Sequence, residues 1–139
     1  MTADNFDLIG PKLAEIGNEA LRLAGGEGKG IFLYVEIGDG WTGPNLFKDD
    51  GEAIHFIDFD DPNPLHDLLT QAWYLEPAGK RWTAMHYTIE HGKFDATFDY
   101  DDLEGSEEDG GDRRERILRA RYGDRKIAYP PLPSDAWTL

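Results

Sequence analysis

The stretch Trp82-Thr83-Ala84-Met85-His86-Tyr87-Thr88-Ile89-Glu90-His91-Gly92-Lys93-Phe94-Asp95-Ala96-Thr97-Phe98-Asp99-Tyr100-Asp101 decides the fold class. Thr83, Met85, Tyr87 and Ile89 alternate with polar neighbours, as do Phe94, Ala96, Phe98 and Tyr100. That period of two is the mark of strands with one covered face. His91-Gly92 between them suits a two-residue hairpin turn. Closed on that turn, Ile89 faces Phe94, Tyr87 faces Ala96, Met85 faces Phe98, and Glu90 faces Lys93 as an ion pair. The opposite face offers Trp82, His86, Thr88, Glu90, Lys93, Asp95, Thr97, Asp99 and Asp101 to solvent or to a partner.

Outward from the hairpin, the other elements follow from periodicity. Phe6, Ile9, Leu13, Ile16, Ala20 and Leu23 form one apolar stripe of a helix that Asp4 caps and Gly25-Gly26 ends, with Pro11 marking either a kink or a start near Gly10. Residues 30–38 read as a strand with both faces at least partly covered. Residues 38–52, rich in glycine and acids, read as a loop before a second strand over 53–59. Asn63 and Pro64 are the cap and first residue of a helix with Leu65, Leu68, Leu69, Ala72 and Trp73 inside. Beyond the hairpin come an acidic loop at 101–111, a basic helix opening at Asp112 and stopping at Gly123, and an extended C-terminal tail at 128–139. The order α-β-β-α-β-β-α predicts an α+β domain over 1–139, an antiparallel four-stranded sheet with helices packed against it.

The chain of 139 residues has enough length for one cored domain, and it contains no cysteine. Its start lacks the basic residues of a secretory leader, and its apolar runs are too short to cross a bilayer. A soluble, cytoplasmic protein is therefore expected. The formal charge is −14. Residues 1–112 carry 25 acidic and 7 basic side chains, whereas residues 113–126 carry 7 basic and 2 acidic ones. A body this negative repels nucleic acid and anionic membranes, and it attracts basic proteins.

Catalytic patterns are missing. His55, His66, His86 and His91 fall in no zinc-binding spacing, and Ser106 and Ser134 lie in no nucleophile elbow. The glycine run at 25–30 follows a helix and precedes a strand, the reverse of a phosphate-binding loop. No cofactor is expected. Asp58, Asp60 and Asp61 are the candidate hard-cation ligands, and a small metal- or ligand-binding domain or enzyme centred on them is the alternative reading. Their other role is to break the strand and start the following helix. Asp95, Asp99, Asp101, Asp102 and Glu104 form the second acidic set. Like charge gathered on one strand face costs folding free energy unless a cation offsets it. Either the face is merely solvated beside a disordered loop, or that cation comes from a partner, from the Arg113–Lys126 segment in cis, or from the same segment of another copy in a homodimer.

The residues 82–90, followed by Gly92-Lys93-Phe94-Asp95 and Phe98-Asp99-Tyr100-Asp101-Asp102-Leu103, resemble the YezG-type immunity protein family. The likeness extends to the amphipathic N-terminal helix, the strand at Tyr34-Val35-Glu36 and Tyr129-Pro130 near the end. Residues 104–111 and the arginine-dense helix depart from the family pattern. The resemblance implies a small cytosolic α+β protein, not an enzyme, that neutralises a cognate polymorphic toxin by binding it. Such toxins are often nucleases, basic where they hold nucleic acid. A carboxylate surface of Asp95, Asp99, Asp101, Asp102 and Glu104 would imitate the phosphate backbone there, with Trp82 as a rim aromatic.

Overall fold

The computed structural model describes residues 3–26, 30–59, 63–103 and 105–129, with side chains from Ile9 onward. The elements run α1 (Ala3–Leu23), β1 (Ile31–Gly38), β2 (Trp41–Asp49), β3 (Ile54–Ile57), α2 (Pro64–Tyr74), β4 (Ala84–Glu90), β5 (Lys93–Asp99), α3 (Gly110–Tyr122) and β6 (Ile127–Ala128). The α+β class holds. The sheet, however, is six-stranded and mixed, in the order β5-β4-β1-β2-β3-β6, rather than four-stranded and antiparallel. Only the β3–β6 pair is parallel.

The expected loop over 38–52 is the main correction, because most of it is β2. Gly43-Pro44-Asn45 looks like a strand breaker in sequence, yet β1 pairs with β2 at every residue from Trp41 to Lys48. The Asp49 N–H donates to the Gly30 carbonyl at 2.9 Å, so odd-numbered N–H groups of β2 face β1 and even-numbered ones face the other way. Position 44 therefore lacks its N–H on the side that β3, paired only with residues 46–49, does not reach. Gly38 is required where β1 turns into β2, because the Trp41 indole lies where a Cβ would stand.

The odd residues of β1 (Ile31, Leu33, Val35, Ile37) join Met85, Tyr87 and Ile89 of β4 in a core under α1 and α2. The even residues Phe32 and Tyr34 join Phe47, Ile54, Ala84 and Leu118 in a smaller core under α3. Both faces of β1 are thus covered, as its unbroken apolar run predicts. In α1, Ile9, Leu13, Ile16 and Ala20 are buried, and Pro11 lies inside the helix. α1 begins at Ala3, so Asp4 lies inside the helix rather than capping it; the Phe6 side chain lies outside the described residues. α2 begins as expected, with the Asn63 side chain accepting from the Leu65 N–H at 2.9 Å and Pro64 in the first turn.

The hairpin register agrees with the alternation at every predicted pair. His91 and Gly92 both take positive φ, 53° and 76°. One detail differs: Glu90 faces Lys93, but its carboxylate pairs with Arg121 at 3.3 Å. α3 starts earlier than expected, capped by Asp109 rather than Asp112, because the Asp109 carboxylate accepts from the Asp112 N–H at 2.7 Å. Its stop at Gly123 is as expected. Of the expected tail, Ala128 is in β6 and the Tyr129 ring lies 5.5 Å from Phe56. Residues 130–139 lie outside the described ones.

Candidate partner-binding surface

β5 is one rim of the sheet, and its exposed residues include Asp95 and Asp99 of the acidic set. Because β4 and β5 alternate in register, Asp95 and Asp99 project on the α3 side, away from the larger core. Asp101 and Asp102 follow, both exposed. Asp102 folds back to accept the Gly105 N–H at 3.1 Å. Glu104 lies outside the described residues. Asp95 and Asp99 thus share one face of the rim strand, whereas Asp101 and Asp102 lie beyond its end at Asp99, outside the alternation that grouped Asp101 with them.

Asp99 has a specific neighbour. Its Oδ2 lies 2.9 Å from Nε2 of His86, which is half-buried between the Phe32 and Tyr34 rings, at centroid distances of 6.2 and 5.1 Å. The alternation offers His86 to solvent or to a partner; the aromatic residues of β1 partly enclose it. Between the hairpin and α3 opens a cleft of about 560 Å³, with Phe32 and His86 on its floor, Asp95 on one side and Arg116 and Arg121 on the other.

Trp82 does not belong to this surface. It is only 1% exposed, its ring packs 5.3 Å from Phe98, and its carbonyl accepts the Trp73 indole N–H at 2.7 Å. The strand begins at Ala84, so the two-residue alternation does not extend back to position 82, and the indole enters the larger core. Asp58 is exposed, and Asp60 and Asp61 lie outside the described residues. Among the described residues, no group of three or more histidine, aspartate or glutamate side chains could hold a metal ion.

The basic helix is engaged within the chain. Arg113 makes a two-pronged pair with Glu36, at 2.6 and 2.8 Å, and Arg125 another with Asp49, at 2.6 and 2.7 Å. Arg116 pairs with Glu108 at 3.0 Å and Arg121 with Glu90. Arg121 also lies over the Phe32 ring at 4.7 Å. None of these partners belongs to the acidic set. Asp95 and Asp101 make no ion pair among the described residues.

These pairs shift the carboxylates involved. Burial pushes Glu36 up, but the Arg113 N–H groups, the Tyr34 hydroxyl at 2.7 Å and the guanidinium charge outweigh it and leave Glu36 below its ordinary value. Hydrogen bonds from Arg125 lower Asp49, and those from Arg116 lower Glu108. The Arg113–Glu36 pair escaped the reading of the sequence because 77 residues separate its members. The available signal was Glu36 itself, a lone acid in an otherwise apolar strand, which requires a buried cation nearby.

No protein-family model and no curated protein matches the chain. The likeness to YezG-type immunity proteins therefore rests on the residues quoted for it.

Proposed function

We propose that the chain is an immunity protein that binds and neutralises a cognate protein toxin, a basic nuclease domain, through the acidic edge formed by Asp95, Asp99, Asp101 and Asp102. It works by occupancy, without a catalytic step or cofactor, in the cytoplasm of the cell that makes both proteins. One observation carries this reading: the arginines of residues 113–125 pair with Glu36, Asp49, Glu90 and Glu108, and Asp95 and Asp101 make no ion pair among the described residues. Uncompensated like charge at one edge is a folding cost that a cationic partner offsets. A toxin surface shaped for phosphates supplies that charge, and the desolvated aspartates take the place of the nucleic-acid backbone.

The test reverses Asp95 and Asp101 to lysine together. Both side chains are exposed, so circular dichroism and melting should stay at wild-type values. Affinity for the C-terminal domain of the toxin-like protein encoded beside this chain should fall by about tenfold to a hundredfold. A folded double variant with unchanged affinity would remove this edge from the interface.

A further inference from the structure

The rim strand β5 has a second property, independent of any toxin. The Asp99 carbonyl accepts from the Thr83 N–H at 2.8 Å, so it faces β4. By alternation, the odd-numbered backbone groups of β5 face β4, and those of Phe94, Ala96 and Phe98 face outward. Among the described residues these three make no backbone hydrogen bond on that side. The strand is seven residues long and is not blunted by proline or a glycine bulge. α3 stands off from it across the cleft, and Phe94 remains 45% exposed although it stacks on Tyr87.

We propose that two copies of the chain join edge to edge through β5, antiparallel about a two-fold axis at Ala96, to form one continuous sheet. Centred there, the strand is complementary to itself. Lys93 faces Asp99 of the second copy, Phe94 faces its Phe98, Asp95 faces its Thr97, and the symmetry repeats each pair. Lys93 makes no ion pair among the described residues, so it is available for this contact. A two-fold axis normal to the sheet keeps Lys93, Asp95, Thr97 and Asp99 of both copies on the α3 side. It also places the exposed Phe94 ring against Phe98 of the other copy on the opposite face. Both charges meet an opposite one and the six outward backbone groups find partners. Shifting either strand by two residues removes the Lys93–Asp99 match. The acidic edges of the two copies then lie side by side, which doubles the carboxylate surface on one face of the dimer.

Sedimentation of the full chain tests this, at about 0.15 M salt so that repulsion between the acidic bodies is screened. Over roughly 1 µM to 1 mM the wild type should pass from monomer to dimer. Ala96→Pro removes only an outward N–H and should stay monomeric over that range. Lys93→Glu should weaken the dimer by about tenfold or more by setting like charges opposite each other twice. The exchange Lys93→Asp with Asp99→Lys should restore it to within about threefold. In the wild type, amide exchange at Phe94, Ala96 and Phe98 should slow as concentration rises. If Ala96→Pro does not fold, the two charge variants and the exchange data decide alone. A wild type that remains monomeric, variants that dimerise like the wild type, or a dimer that leaves those three amides unprotected would each overturn the proposal; the first would leave the edge to a strand of another protein.

Discussion

Replacing Arg113 with methionine should destabilise the fold more than any other change to a charged residue of α3. The guanidinium is almost fully buried, with 9% of its side chain exposed against 14% for Glu36, so solvent screens the pair little. Methionine keeps the aliphatic bulk and removes three donations, two to Glu36 and one to the Glu108 carbonyl at 3.0 Å. Glu36 is left with the Tyr34 hydroxyl as its remaining donor among the described residues. Stranding one member of a buried pair costs about 3 kcal/mol, which for a domain of this size lowers Tm by about 10 °C. The pH dependence has a definite sign. In the wild type the folded pKa of Glu36 lies below its ordinary 4.5, so its stabilisation is present above that value and fades as pH falls through the lower folded one. In the variant, burial dominates and raises the pKa, so protonation relieves the stranded charge. The difference between the proteins should be largest near neutrality and shrink below about pH 4.5. Urea unfolding across that range measures it, and adding Glu36→Gln to the variant should recover part of the loss. A cost under about 1 kcal/mol at neutral pH, or one that does not change with pH, would refute this account of the pair.

Two further perturbations follow from the fold. Gly17 is buried in α1, where alanine would ordinarily gain about 1 kcal/mol. Here its Cβ would overlap the Tyr87 hydroxyl that donates to the Leu13 carbonyl at 2.7 Å, so Gly17→Ala should destabilise by about 1–2 kcal/mol. In a Tyr87→Phe background the same change should be close to neutral, as thermal melts of the four proteins would show. Asp50 accepts the Ala53 and Glu52 N–H groups and contacts His55, which brings its carboxyl from 3.8 down to about 2. Its contribution is present above pH 3.8 and lost as pH falls through about 2, so Asp50→Asn should flatten stability against pH in that window, with carboxyl NMR reporting the shift directly.

The legible parts of the fold were those written locally. The hairpin follows from side chains that alternate around two residues able to take positive φ, and α2 follows from a cap and a proline at adjacent positions. β2 was hidden because its residues argue against a strand, while pairing with β1 from Trp41 to Lys48 decides the matter. β6 is two residues long, and only its parallel contact with β3 makes it a strand. Trp82 was misplaced by carrying an alternation past the strand end that generates it. The acidic edge was readable as a set, since Asp95 and Asp99 share a face by parity alone. The fate of the arginines was not, because each of these pairs except Arg116–Glu108 joins α3 or the turn after it to a strand or strand end far away in the sequence.

Titration calorimetry against the C-terminal toxin domain encoded beside this chain, at low and at moderate salt, tests the central claim most directly. The account predicts tight one-to-one binding that weakens as salt rises, since outward carboxylates attract the toxin before and during contact. No heat of binding at either salt, with both proteins folded, would contradict it.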